Sequence, residues 1–371
     1  MKEHVTKKLT NALLLSLLAS PMLLSAANES ANPASDTILT VASTVPANGD
    51  LNPYGVAVVQ RTTGKLIAGD ILVSNFNNSA NLQGTGTTIV DIAPNGTASL
   101  FAWIDASTLP GQCPGGVGLT TALVVLRAGW VIVGSLPTTD GTAATAQAGC
   151  LLVLNNQGAV VETITDAMIN GPWDMTALDQ DATASLFITN VLNGTVAANG
   201  AVVWAGSVVR IDVAQSATIM PAVQSMTVIG SGFAERTDPA ALVIGPTGVA
   251  LAPDGTLYVA DTLNNRLVSI GDAVKRQSSA QNGTTLTNVV LLNAPLGLAV
   301  RPNNGDVLSV NGDNGMLIVF TSSGQMVSSG YLDKSGNPPG SGALFGLATT
   351  NSGLYFVDDA TNTLNLLTNP L

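Results

Sequence analysis

One short unit recurs along this chain: a Gly-marked apolar segment, a turn through Pro, Asp or Gly, a second apolar segment, and a stop at Asn, Asp or Ser. The fourth copy is the clearest, Gly245-Pro-Thr-Gly-Val-Ala-Leu-Ala-Pro-Asp-Gly-Thr-Leu-Tyr-Val-Ala-Asp-Thr-Leu-Asn-Asn-Arg-Leu-Val-Ser-Ile270. Short apolar segments bounded by such turn residues are strands, and each unit reads as four of them, A to D. In unit four, strand A is Thr247–Leu251, strand B Leu257–Ala260, strand C Arg266–Ile270 and strand D Val289–Leu292.

The pattern repeats at Leu296–Val300 with Asp306–Val310 and Met316–Phe320, and at Phe345–Thr349 with Leu354–Val357 and Thr363–Leu367. Looser copies are Tyr54–Val59 with Asp70–Ser74, Leu119–Leu126 with Trp130–Gly134, and Trp173–Leu178 with Ser185–Thr189. Gly55, Gly118, Gly248, Gly297 and Gly346 mark strand A in five units. Units of this size cannot bury their own faces, so they stack radially about an axis. The expected fold is all-β, a six-bladed β-propeller of four-stranded antiparallel blades. The last unit lacks a strand D, and Thr37–Ala42 precedes the first unit with no blade of its own, so this N-terminal strand is expected to close the last blade. The repeats occupy nearly the whole chain, which predicts one domain over 28–371.

With its P-x-G-V-A opening, D-G turn, Y-V-A-D strand and D-x-x-N-N-R close, the fourth unit resembles an NHL repeat. Units five and six match well. Units one and three keep an Asn at each end of the B-to-C turn (Asn75 and Asn78, Asn190 and Asn193), and unit two departs furthest, with Ser135 and Thr138. The resemblance covers roughly 37–367 and implies a propeller family that includes scaffolds, ligand binders and enzymes; fold does not choose among them.

Residues 1–27 read as an export signal: Lys2, Lys7 and Lys8 precede an apolar run from Ala12 to Leu24, and Ser25-Ala26-Ala27 supply small residues for cleavage. That run is too short to span a bilayer, and no later stretch approaches ~20 apolar residues, so stable membrane insertion after cleavage is not expected. The expected location is periplasmic or extracellular. Without the leader the chain keeps 23 acids against 10 bases, a net charge of −13, which makes nucleic acid a poor partner. The two cysteines, Cys113 and Cys150, are expected to form a disulfide in such a compartment.

The single histidine, His4, lies inside the leader. Catalysis by a histidine general base, serine or cysteine nucleophiles activated by histidine, and histidine-ligated metals are therefore excluded. Among propellers, this argues against the amidating-lyase, streptogramin-lyase and quinoprotein dehydrogenase types. Lactonases and gluconolactonases, which this architecture also resembles, hold calcium at the channel mouth with a Glu, two Asn and an Asp, and calcium favours such oxygen ligands. No cofactor is expected, with calcium the one candidate. Asp174 stands where other A strands carry Gly, and is the candidate catalytic or metal-binding residue.

In a four-stranded blade, the D-to-A connection and B-to-C turn share one face. Asn75–Thr87, Ser135–Gly149 and Asn190–Gly206 lengthen that turn in three adjacent blades, raising a rim that both cysteines join. Tyr54, Trp173, Thr247, Leu296 and Phe345 open the A strands and suggest an apolar mouth for a ligand; Glu235, Arg236 and Asp238 lie in the connection entering blade four. Asn75, Ser135, Asn190, Asp261, Asn311 and Asp358 read as turn chemistry at strand ends. The leading expectation is an exported, non-enzymatic module whose loop-bearing face binds a protein, peptide or glycan. The alternative is a calcium-dependent lactonase-like hydrolase.

Overall fold

The computed structural model describes residues 37–368, so the leader expected over 1–27 and His4 lie outside the described residues. Turn residues cut the chain into short strands, beginning with β1 (Ile38–Ser43). Blade one holds β2 (Leu51–Val58), β3 (Ile71–Asn77), β4 (Thr88–Ile92) and β5 (Ala98–Trp103); blade two holds β6 (Leu119–Val125), β7 (Val131–Ser135), β8 (Cys150–Leu154) and β9 (Val160–Ile164). Blade three holds β10 (Pro172–Asp179), β11 (Thr183–Asn190), β12 (Val203–Ala214) and β13 (Ala222–Asp238), with a short fifth strand, β14 (Leu242–Ile244). Blade four holds β15 (Pro246–Leu251), β16 (Leu257–Asp261), β17 (Arg266–Ile270) and β18 (Thr284–Thr287). Blade five holds β19 (Pro295–Val300), β20 (Val307–Asn311), β21 (Met316–Phe320) and β22 (Met326–Tyr331); blade six holds β23 (Leu344–Thr350), β24 (Gly353–Asp358) and β25 (Thr363–Leu367).

These sheets form a six-bladed propeller. The A strands β2, β6, β10, β15, β19 and β23 contact one another in a closed circuit, β23 returning to β2. Ring closure is as expected: β1 pairs antiparallel with β25, Ile38 opposite Leu367 and Ser43 opposite Thr363, making it the outer strand of blade six. The core lies between blades. Leu72 and Phe101 of blade one, for example, share a cluster with Leu123, Val133 and Leu152 of blade two. Strands β3, β4, β7 and β8 are buried on both faces, which accounts for the runs Ile71-Leu-Val73, Val131-Ile-Val133 and Leu151-Leu-Val-Leu154 within them.

One boundary needs correction. The outer strand of blade four is Thr284–Thr287, not Val289–Leu292. An outer strand turns one face to water, which suits its threonines, whereas Leu292 and Val289 pack from the connection into the core between blades four and five.

A device shared by the blades positions everything near the axis. Each A strand carries a bulge near its start: Tyr54-Gly55, Trp173-Asp174, Thr247-Gly248, Leu296-Gly297 and Phe345-Gly346 each oppose a single residue of strand B. In blade two the bulge is wider, Thr120-Thr121-Ala122 opposing Gly134, so Gly118 lies before the bulge rather than in it. The glycines are required by close approach. A Cβ on Gly248, Gly297 or Gly346 would strike the backbone carbonyl of Leu296, Phe345 or Tyr54 in the next blade.

Candidate functional site

Strand polarity gives the disc two unlike faces. The A-strand starts, B-to-C turns and D-to-A connections share one, and the A-to-B turns lie on the other. The first is the loop-bearing face, where the B-to-C turns of blades one to three span 78–87, 136–149 and 191–202 against four residues, 262–265, in blade four. Cys113, before β6, is bonded to Cys150 at the start of β8, so the expected disulfide joins two loops of this face.

Tyr54, Trp173 and Phe345 do converge at the axis, but as a packed cluster rather than an open mouth. Tyr54 lies 4.0 Å from Phe345, 6.1 Å from Trp173 and 4.5 Å from Phe76, between ring centroids. Leu296 packs against the same cluster. Thr247 is buried on the inter-blade seam, its hydroxyl bonded to that of Thr262 at 2.6 Å and donating to the Pro295 carbonyl at 3.2 Å. Burial, and secondarily the charge of Asp359, raises the Tyr54 hydroxyl pKa well above its ordinary value.

What fills the mouth went unread in the sequence. Strand β13 does not end at the blade edge; it continues into a hairpin with β14, Arg236 opposite Ile244 and Asp238 opposite Leu242. Leu242 and Val243 are buried in the aromatic cluster, leaving a void of only about 10 Å³ beside Tyr54, Thr120 and Trp173. Leu242 adopts φ 63°, a left-handed conformation that is costly for a bulky side chain, so the turn is held from outside. The Asp238 carboxylate accepts the Ala240 and Ala241 N–H groups and pairs with Arg236 at 2.7 Å, while the Gln83 amide of blade one donates to the Ala240 carbonyl at 2.6 Å. Arg236 and Asp238 are thus braces of a plug, on a strand rather than in a loop. The available signal was the apolar run Leu242-Val243-Ile244 just after the turn Asp238-Pro-Ala-Ala241, in a connection that should be polar.

Glu235 lies beside this hairpin, fully buried. Its oxygens accept the Asn193 backbone N–H at 3.1 Å and the Asn193 amide at 3.2 Å, and Asn170 donates to Asn193 at 2.7 Å. Burial pushes the Glu235 carboxyl up to about 7 against the pull of the Asn193 bonds. The neighbouring Asn190 side chain is buried with neither amide atom partnered.

The axial channel survives below the plug. It forms a cavity of about 650 Å³ reaching the A-to-B face, walled by A strands whose inner backbone edges have no sheet neighbour. Asp174 lines it near the plugged end and is 8 % exposed. Its carboxylate fills the space that glycine leaves in other blades, accepting the N–H of Met175 at 2.8 Å and that of Val249, in blade four, at 2.9 Å. Burial raises this carboxyl to about 7, although both N–H bonds favour the charged form.

Three of the strand-end polar residues reach further than local turns. Asn75, Ser135 and Asn311 donate to the carbonyls of Thr44, Gly116 and Leu291, tying each blade's B strand to the connection that enters it.

The axial mouth is apolar and offers calcium few oxygen ligands. Among the described residues no group of three or more His, Cys, Asp or Glu is placed to hold a metal. Glu235 and its asparagines are oxygen donors of the kind calcium takes.

The NHL repeat family model matches residues 244–268, in blade four. No curated protein matches the chain in sequence. Among solved structures, the chain is similar to a gluconolactonase from Xanthomonas campestris, with TM-score 0.57 and 15% identity over 90% of each chain. It is also similar to the calcium-binding protein regucalcin from Agrobacterium tumefaciens, with TM-score 0.54 and 14% identity over 90% of this chain and 96% of that one. A catalytically inactive variant of virginiamycin B lyase from Staphylococcus aureus gives TM-score 0.51 and 13% identity over 90% of this chain and 100% of that one. At these identities the likeness is one of fold: this chain is a six-bladed propeller with an NHL repeat in its fourth blade.

Proposed function

We propose that this propeller is an exported, non-enzymatic interaction module that engages a protein, peptide or glycan through its loop-bearing face. The observation that carries the reading is the plug: Leu242 and Val243 occupy the axial mouth, leaving that face a rim to dock on instead of a cavity to react in. Large apolar groups stand out on that rim. Trp103, at the end of β5, is 68 % exposed and Trp204, near the start of β12, 63 %. Exposed tryptophans of this kind are the usual anchors of protein and sugar contacts. Export is supported by the leader pattern and by a disulfide suited to an oxidising compartment. Among the described residues no helix is long and apolar enough to cross a membrane.

The test is binding of the purified protein to peptide and glycan arrays, repeated with Trp103→Ala and Trp204→Ala. The expected result is a selective set of ligands whose affinity falls at least ~10-fold in one or both variants without change in melting temperature. Ligands bound equally well by both variants would refute the reading.

A second reading, a calcium-dependent lactonase-like hydrolase, is favoured by Glu235, a buried carboxyl near neutrality among Asn170, Asn190 and Asn193. It requires stoichiometric calcium binding that Glu235→Gln removes, together with turnover of lactones. No calcium heat and no turnover would dispose of it.

A further inference from the structure

The channel on the A-to-B face belongs to neither reading above. Its wall is built from the inner edges of the A strands, exposes more polar backbone than apolar side chain, and contains no lysine or arginine. That wall carries two acids, Asp179, whose carboxylate accepts the backbone N–H groups of Arg127 and Asp181, and Asp174, which is the anomaly. The other regular bulges put glycine at its position, and a buried carboxylate is costly unless a cation neutralises it. None of the ion pairs among the described residues includes Asp174. Its two backbone bonds leave each carboxylate oxygen able to accept one more donor.

A second observation comes from the adjacent blade. Thr121, in the wide bulge of blade two, lines the same cavity, is 3 % exposed, and its hydroxyl has no partner. The hydroxyls of Thr120, Ser309 and Ser328 are also buried without a partner, but of the four only Thr121 belongs to the wall that carries Asp174.

We infer that the axial channel is a binding site for a small organic amine entering from the A-to-B face, its ammonium taken by the Asp174 carboxylate and the Thr121 hydroxyl. The ammonium supplies the counter-charge the wall lacks, and its N–H groups meet the open acceptors. The rest of the ligand lies along the A-strand backbone edges that wall the channel. Anions are rejected, because nothing in the wall offers them a positive charge. The plug makes the pocket blind, so ligand enters and leaves by one face while the loop-bearing face remains available for a partner.

The test uses three probes with one body and different heads, hexylammonium, 1-hexanol and hexanoate, titrated calorimetrically into the purified protein at pH 8. Hexylammonium is expected to bind saturably, hexanol at least ~10-fold more weakly and hexanoate not detectably. Asp174→Asn, shown folded by its circular dichroism, should lower hexylammonium affinity at least ~10-fold and erase the preference over hexanol, and Trp204→Ala should leave both unchanged. If Asp174→Asn does not fold, Thr121→Val decides, with a several-fold loss expected. No saturable amine binding, equal affinity for all three heads, or amine affinity unmoved in the deciding variant would each overturn the inference.

Discussion

Seven carboxyls are raised chiefly by burial: Asp174 and Glu235 to about 7, Asp91 and Asp359 to about 6, the last two also by Asp70 and Asp358, and Asp70, Asp313 and Asp358 in the same direction. In the unfolded chain such groups titrate near 4, so between pH ~4 and ~7 the folded protein binds more protons than the unfolded one. Their contribution is fully present below the unfolded value and is lost as pH rises through the folded value. Growing negative charge acts in the same direction. The melting temperature should therefore be at least ~5 °C lower at pH 8 than at pH 5, and Asp174→Asn should flatten that slope; a flat or rising wild-type profile would contradict the assignment. Gly297 yields a second expectation. Its missing Cβ makes room for the Phe345 carbonyl, so Gly297→Ala should cost ~1–3 kcal/mol in urea unfolding. The strand-A glycines were legible as a repeat, and Asp174 as the acid replacing one. That its carboxylate would accept an N–H from the next blade was not, because the partner Val249 is 75 residues away. Gly118 misled for a local reason: the wider bulge in blade two displaces the pattern toward Thr120 and Thr121.

The elements that depart from the repeat are those that shape the loop-bearing face. Strand β13 spans 17 residues, against 4 in the outer strand of blade four, and its extension with β14 is what closes the mouth. Leu242→Ala should cost ~2–5 kcal/mol, typical of a buried leucine, and should also expose Tyr54 and Trp173, which makes quenching of tryptophan fluorescence by acrylamide the sensitive check. The disulfide acts on the rim instead. Residues 113 and 150 close a loop with a separation of 37, and replacing both by serine should cost ~4 kcal/mol on the entropic account, read from the denaturation midpoint. Turn residues and apolar runs gave the A and B strands nearly to the residue in the regular blades. The outer strands were hard to read because one side faces solvent: Thr284–Thr287 looks like loop, while Val289–Leu292 looks like strand and is a packed connection.

At the scale of the whole ring, everything depends on β1. Without it β25 would show an unpaired edge and blade six would lose Val41 and Ala42 from its packing. Deleting 37–43 should therefore lower the melting temperature by more than ~10 °C or abolish a single cooperative transition; an unaltered melt would mean that the ring does not need its closing strand. The sequence by itself determined the number of blades, the strand order, the closing strand, the disulfide and the face on which the long loops lie. Each of these is a matter of local pattern, of turns, apolar runs and spacing repeated along the chain. The tertiary structure alone decided which end of the axis is open. Whether Leu242 and Val243 lie in solvent or among Tyr54, Trp173 and Phe345, and whether Asp174 meets water or the backbone of blade four, depends on distances between segments that only ring closure brings together.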